Sequence, residues 1–467
     1  MIVIIGAGPT GLGAAWRLHE FGHTEYLLLE SADGPGGLAS SVVDPQGFTW
    51  DIGGHVQFSH YRYYDDVLDR AVTCGWFEHE RHASVWMRNR WVPYPFQYNI
   101  HHLPSAERDA ALRDLEAIAQ GQSGAAAHFR DWIERTFGPT IAATFLLPYN
   151  EKVWGYPLET MGVDWMGERV AVVDLDRLRR NVREGRDDVG WGPNNRFRFP
   201  RRGGTGAIWT HVAALLPPER ARWNARVTAI DARRRVLRTE DGATHAFDRL
   251  INTMPLDSLC ELTTGLGADV QHAARALTHS AVHILGIGLR GHQPETLRPR
   301  CWMYFPEDHS PYYRVTVFSN YSPHHTPEGE GYWSLMAEVC ESPHRAIDTA
   351  SLERWTLDAM RRDGLIDDRS EVVSVWHHRQ EHGYPTPFLG RDEVLARILP
   401  SLEAHEIYSR GRFGAWKYEV SNQDHSFMQG VEVVDRLLGL GDEPTLNRPH
   451  EVNRGDHRMT HVQASAR

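Results

Sequence analysis

The chain opens on an unbroken apolar run, Ile2-Val3-Ile4-Ile5, that gives way at once to glycine. Gly6-Ala7-Gly8-Pro9-Thr10-Gly11 follows, and then an Ala- and Leu-rich stretch from Leu12 to Leu18. β-Branched residues without a polar break predict a buried strand, the glycines a tight turn and the Ala/Leu stretch a helix. Tyr26-Leu27-Leu28-Leu29 predicts a second strand, closed by Glu30. Strands are predicted again at 47–52, as a pair around Asn89-Arg90, as short pieces from 222 to 248 about a turn at Asp241-Gly242, and at 250–254 before Pro255. Between about 104 and 185 the pattern turns helical, with Ser105 as a cap. Apolar runs at 281–289, 301–305, 313–320 and 332–339 predict an antiparallel sheet, with a helix over 351–360 packed on it. A strand near 407–414 and a helix over 424–438 complete the pattern.

The first block has a direct chemical reading. Gly6 permits the sharp turn, Gly8 lets backbone approach a pyrophosphate, and Gly11 lets helix and strand pack closely. The helix N-terminus, with Pro9 and Thr10 in its first turn, offers free N–H groups and a positive dipole end to an anion. Glu30 stands about 20 residues past the glycines, where an acid binds a ribose hydroxyl, with Ser31 beside it. This constellation predicts a dinucleotide site without separating NAD from FAD. Gly36, Gly37 and Leu38 lie in a second glycine loop directly after the second strand. Flavoproteins of the two-dinucleotide-binding type use such a loop to cover FAD. The expected fold class is therefore α/β: a Rossmann-like FAD-binding domain, a helical insertion domain and an antiparallel β-sheet domain. The expected division is a discontinuous FAD-binding domain (1–95, 190–265 and 400–440), a mostly helical substrate domain (96–189), a sheet domain (266–399) and a polar, frayed tail (441–467).

Composition narrows the partners. A net charge of −11 over 467 residues argues against nucleic acid or an anionic membrane as the main partner, and an anionic substrate must then be held by local arginines. No apolar run reaches 18 residues, so no membrane span is expected, and the strand beginning at residue 2 leaves no room for a leader. Four scattered cysteines without a C-x-x-C suit a reducing, cytoplasmic setting and supply no zinc or disulfide framework. Sixteen each of Trp, Tyr and Phe exceed ordinary core needs and suggest an aromatic ligand cleft. His19-Glu20-Phe21-Gly22-His23 matches the H-E-x-x-H zinc pattern, but it falls where the first helix is predicted to end, so no metal site is expected.

Several stretches, in order and spacing from residue 1 to about 440, resemble one family. They include Gly53-Gly54-His55-Val56-Gln57-Phe58-Ser59-His60-Tyr61, Trp91 to Gln97, Pro148 to Trp154, Gly167-Glu168-Arg169 and Arg202 to Gly206. Cys301 to Asp308, Tyr313-Arg314, Phe318 to Pro323, His382 to Pro387 and Ser409 to Gly430 belong to the same set. Together they resemble the UDP-galactopyranose mutases of eukaryotic (fungal) type. The resemblance implies interconversion of UDP-galactopyranose and UDP-galactofuranose, in which N5 of reduced FAD attacks sugar C1, expels UDP and forms a flavin–sugar iminium that lets the ring open and reclose. It also implies a nicotinamide reductant, NADPH or NADH. This chain is shorter than fungal members, which leaves a homo-oligomer open.

The resemblance assigns roles residue by residue. Arg169 and Arg314 become the diphosphate clamps, because guanidinium forks match phosphate oxygens. His55 sits on the glycine loop facing the flavin. Tyr94, Phe96 and Gln97 form the uridine pocket; Phe58, Asn150, Trp154, Asn194, Trp302, Tyr304, Tyr321, Tyr384 and Tyr418 complete the substrate set. Gly53, Gly54, Arg412, Asn422, Gln423 and Ser426 join the cofactor set. Two other activities compete: a mutase of another nucleotide sugar, and a net FAD-dependent oxidase of the amine or protoporphyrinogen oxidase class. The oxidases usually carry Gly-Gly-Arg where this chain has Gly36-Gly37-Leu38. A non-catalytic FAD scaffold is a third class; it would give the arginines and aromatics no reason to occur together.

Overall fold

A computed structural model describes residues 1–121, 124–192 and 195–454. The apolar opening run forms strand β1 (Ile2–Ile5), every residue of it buried. Helix α1 (Pro9–Glu20) and strand β2 (Tyr26–Leu29) follow as the pattern predicts. β1 lies at the centre of a five-stranded parallel sheet, flanked by β2 and by Arg249–Asn252, with Ile407–Ser409 and Ala221–Arg222 at the edges. Uninterrupted apolar strands suit such a sheet because both faces are covered. Helix Gln423–Leu437 packs against α1, and a buried ion pair between Arg17 and Asp435 (2.7 Å) ties the two. The strand near 407–414 is shorter than expected and ends at Ser409.

A seven-stranded sheet forms the second layer system, in the order Ser370–Pro385, His279–Gly291, Tyr332–Glu341, Arg314–Val317, Trp302–Tyr304, Ala83–Met87 and Arg90–Pro93. Its pairings are antiparallel except between Trp302–Tyr304 and Ala83–Val85. Two features differ from the sequence expectation. The hairpin 83–93, grouped above with the nucleotide-binding segment, forms one edge of this sheet. The opposite edge, the 16-residue strand Ser370–Pro385, was not among the predicted strands. Its second half, His377 to His382, is an unbroken run of His, Arg, Gln and Glu on a half-solvated edge, so the apolar signal of Val372, Val373, Val375 and Trp376 is too short to mark the whole strand.

Helices Ser105–Gly121, Phe129–Ile141, Leu147–Trp154 and Leu175–Glu184 make up the region read as helical. A π-helical turn at Ala142–Leu146 feeds directly into Leu147–Trp154. The expectation of a frayed tail from 441 does not hold as far as residue 454. Glu443 is buried and pairs with buried Arg410, and short helices Pro444–Asn447 and Pro449–Val452 pack beneath Tyr61 and Glu432. The H-E-x-x-H match is broken as predicted: α1 stops at Glu20 and Gly22 has φ +67°, so His19 and His23 do not share a helical face.

Candidate active site

The cradle is built mainly by backbone. Gly6 adopts φ +97°, and a Cβ on Gly11 would lie 1.8 Å from the Gly6 carbonyl oxygen, so strand, turn and helix close only with glycine there. Gly8, by contrast, lies in van der Waals contact with the Gly36 and Gly37 backbone, and the Gly36 amide donates to the Ala7 carbonyl (2.9 Å). Pro9 starts α1, and Thr10 is buried in its first turn. Glu30 is buried at the end of β2, where Oε2 accepts from the Ala7 amide (2.7 Å) and Oε1 from the Ala32 amide (2.8 Å) and the Ser31 hydroxyl (3.1 Å). Oε2, with a single donor, keeps a lone-pair direction for a ligand hydroxyl. Two glycine loops packed side by side at the α1 N-terminus, with a held carboxylate at the end of β2, fit an adenine dinucleotide whose diphosphate lies at that N-terminus. Leu38 follows in the turn Gly37–Ala39, packed against the apolar core behind the parallel sheet.

The second glycine pair joins cradle to cavity. The Gly54 amide donates to Glu338 Oε1 (2.9 Å), and Glu338 is ion-paired with Arg314 (2.7 Å). His55, next along, has Nδ1 buried with no hydrogen-bond partner. Burial, reinforced by the nearby Arg412 charge, draws its imidazole down to about 4, so the ring is neutral at pH 7. An unsatisfied imidazole nitrogen on this loop fits a polar ring atom of a flavin. Helix Gln423–Leu437 starts at Asn422, and Ser426 is buried in its first turn. The Gln423 side chain instead accepts from Trp209 Nε1 (2.8 Å).

Beyond this loop lies a cavity of about 260 Å³. The sheet supplies Trp302, Tyr304, Tyr313, Arg314 and Tyr384; helix Leu147–Trp154 supplies Tyr149, Asn150 and Trp154; Phe58, Tyr94, Gln97, Arg169, Tyr418 and Asn422 close it. Arg169 and Arg314 in its lining, and Arg412 beside the lining rings of Tyr384 and Tyr418, differ electrically. Arg314 and Glu338 are direct cross-strand partners. Burial opposes the charge on Arg314, yet Glu338 overrides it and holds the guanidinium well above its ordinary value. Burial likewise opposes the Glu338 carboxylate, which Arg314 and the Tyr313 hydroxyl (2.7 Å) keep below the usual range. Arg169 instead donates to the carbonyls of Tyr418 (3.0 Å) and Glu419 (3.1 Å), with Asn422 Oδ1 at 3.4 Å. Arg412 donates to the Gly383 carbonyl (3.1 Å) and the Ser421 hydroxyl (3.0 Å). Neither has a carboxylate among its partners in the described residues. Arg169 lies 4.6 Å from the Tyr418 ring, and Arg412 lies 4.9 Å from the Tyr384 ring and 5.7 Å from that of Tyr418. Burial pulls Arg412 below its ordinary value and Arg169 adds to this; a guanidinium nonetheless stays charged at neutral pH. Two uncompensated cations beside two phenols form an anion site.

At the other end, Tyr94 and Tyr304 rings meet at 4.8 Å and the Trp302 indole donates to Tyr304. Gln97 Nε2 donates to the Ala171 carbonyl (2.7 Å), leaving Oε1 buried and free. Asn150 donates to the Leu146 carbonyl (2.7 Å). Two residues of the expected substrate set do not line the cavity. Phe96 turns behind it to pack on Phe145 (4.8 Å), and Tyr321 is buried among Phe197, Phe199 and Phe318. The tight turn after Pro95 directs Phe96 backward, and the aromatic cluster holds Tyr321 beneath the wall. Asn194 lies outside the described residues. Glu338 and Arg81 escaped the sequence reading. Arg81 lines the cavity beneath Tyr94 (5.6 Å) and donates to the Trp191 carbonyl, and no motif marks either residue.

A family model described as flavin containing amine oxidoreductase matches residues 9–437, and the chain belongs to that family. Within it, the chain is 49% identical to a UDP-galactopyranose mutase solved in the reduced state, with a TM-score of 0.94 over 97% of each chain, and so belongs with the UDP-galactopyranose mutases. A CLA-producing fatty acid isomerase from P. acnes has a TM-score of 0.62 at 16% identity, covering 93% of this chain and 98% of that one. Putrescine oxidase with putrescine bound has a TM-score of 0.64 at 14% identity, covering 94% and 98%. These last two share the fold. No helix among the described residues is long and apolar enough to cross a membrane.

Proposed function

We propose that this protein interconverts UDP-galactopyranose and UDP-galactofuranose with FAD held in its reduced form. The observation that carries this reading is the pair of guanidiniums without carboxylate partners among the described residues: Arg169 in the lining of a cavity beside the Gly53-Gly54-His55 loop, and Arg412 against the lining rings of Tyr384 and Tyr418. A protein of net charge −11 that keeps two such cations at one buried place has built a diphosphate site. Reduced FAD, when bound, supplies the nucleophile for the sugar's anomeric carbon. The chain's own residues do the rest. Arg169 and Arg412 hold the departing UDP so that it returns to the same sugar, with Tyr384 and Tyr418 donating to its oxygens. Tyr94 stacks on the uracil and the free Gln97 Oε1 accepts from its N–H. Arg314, already neutralised by Glu338, orients the sugar as a hydrogen-bond donor. Neutral His55 offers Nδ1 to the flavin. The aromatic walls exclude water from the reacting carbon.

NADPH or NADH is the proposed source of electrons, and a homo-oligomer the proposed assembly. The test is incubation of the reduced holoenzyme with UDP-galactofuranose and chromatographic separation of products. Conversion to UDP-galactopyranose in the reduced state alone is expected. No conversion, together with oxygen-dependent oxidation of an amine, would favour the oxidase reading; conversion of another UDP-sugar alone would move the substrate.

A further inference from the structure

Lys152 is a buried cation with an unusual set of partners. It lies on helix Leu147–Trp154, between Asn150 and Trp154, both of which face the cavity. Its own side chain points away from the cavity and is 1% exposed. Nζ donates to the Phe305 carbonyl (3.0 Å), the Glu307 carbonyl (2.6 Å) and the Ser310 hydroxyl (3.0 Å). Three ammonium protons thus meet three neutral oxygens, and no carboxylate among the described residues lies within ion-pairing distance. All three acceptors belong to the connection 305–313. That connection joins the strand carrying Trp302 and Tyr304 to the strand that begins with Arg314. Its far side is pinned by Asp363, which accepts from the Tyr312 hydroxyl (2.6 Å) and hydrogen-bonds His309 (2.7 Å).

We propose that Lys152 is a positioning residue that locks the helix wall of the substrate cavity to its sheet wall. Through this one ammonium the spacing of Asn150 and Trp154 from Tyr304 and Arg314 is set, although Lys152 touches no substrate. An amine in its place would donate only two protons and leave one buried oxygen unmatched. Burial, with a contribution from Arg345, draws Lys152 down to about 7, against the opposing pull of Asp308, Asp363 and Glu307. His309 on the connection and Glu151 on the helix are the other titratable neighbours. The third proton is therefore lost within the physiological range, and the walls loosen as pH rises.

This inference rests on the nucleotide-sugar reading of the cavity, and one titration separates the two. Binding of UDP-galactopyranose to oxidised holoenzyme is followed by tryptophan fluorescence from pH 5.5 to 8.5, where the diphosphate diester does not titrate. Wild type is expected to bind, with affinity falling as pH rises through about 7. Lys152→Met is expected to keep its FAD, whose cradle is remote, and to bind about tenfold more weakly at pH 6, roughly one hydrogen-bonded charge lost. Lys152→Arg, charged throughout, should lose the pH dependence while keeping measurable affinity. Ser310→Ala, a milder change that spares folding, should weaken binding about threefold. Equal affinity and equal pH profiles in all four proteins would overturn the positioning role while leaving the site reading intact. Absence of binding by wild type would overturn both.

Discussion

The glycine cradle and the arginine cavity adjoin each other at Gly54, yet they recognise charge by different means. In the cradle, α1 presents backbone N–H groups to an anion, and the side chains have been removed to let backbone approach. Its glycines and Glu30 lie within residues 2–54, and its key contacts, such as Glu30 and Gly36 to Ala7, stay within that segment. At the cavity, the proposed diphosphate site is built instead from side chains of the loop at Arg169, the stretch after Ser409 and the edge strand ending at Pro385. A backbone cradle carries fixed partial charges and costs no desolvation when empty. Buried guanidiniums carry full charges, and burial acts against each of them. Charge here is managed explicitly: Arg314 is neutralised by Glu338, whereas Arg169 and Arg412 have no carboxylate partner among the described residues. The lesson is that arginines which look equivalent as motif residues are not equivalent electrically.

The strongest test of that difference is Arg314→Ala. It strands buried Glu338, which is 2% exposed in its side chain, and is expected to cost about 3–5 kcal/mol of stability as well as turnover, read by thermal melting. Arg169→Ala leaves no buried carboxylate behind. It should leave the melting temperature within a few degrees and retain the yellow flavin, while kcat/KM falls roughly a thousandfold. If both variants melt alike, the electrical distinction is wrong. Gly11→Ala attacks the cradle instead: its Cβ meets the Gly6 carbonyl at 1.8 Å, so about 1–3 kcal/mol is lost and FAD content drops, measured as the ratio of flavin to protein absorbance. Gln97→Leu should weaken UDP-sugar binding about tenfold and leave FAD untouched, since it withdraws the free Oε1 from the uracil end and, with it, the Nε2 donor to the Ala171 carbonyl. The smallest effect is at the junction. His55 stays neutral in the fold down to about pH 4, whereas an unfolded imidazole takes a proton near 6.5. Its contribution to stability is complete above 6.5 and is lost as pH falls from 6.5 toward 4. His55→Gln should make the melting temperature less sensitive to pH across that window, and an unchanged slope would remove His55 from the titrating groups.

Legibility followed the range of the contacts. The strand–turn–helix at the N-terminus, Glu30 and the second glycine loop could be read because each is specified by residues within a few positions of one another. The strands at 281–289, 301–305, 313–320 and 332–339 were legible because they are apolar and buried. The edge strand Ser370–Pro385 was not, because half of it faces water with charged and His side chains. Tyr384 at its end was still found by motif. Phe96 and Tyr321 were drawn into the site by motif, but packing turns both into the wall behind it. Arg81 and Glu338 carried no signal at all.

By itself the sequence made the cradle legible, because its turn and helix are set by local glycine sterics within residues 2–54, even though strand 249–252 and Thr253 pack beside it. It also supplied the arginines and aromatics from which the cavity is assembled. Only the tertiary structure decided which arginine is free. The register that sets Arg314 opposite Glu338, 24 residues away, is a property of paired strands. The same holds for Lys152, whose charge is met by carbonyls more than 150 residues along the chain. Charge in a protein interior is settled by what lies within a few ångströms, and that neighbourhood exists only once the chain has folded.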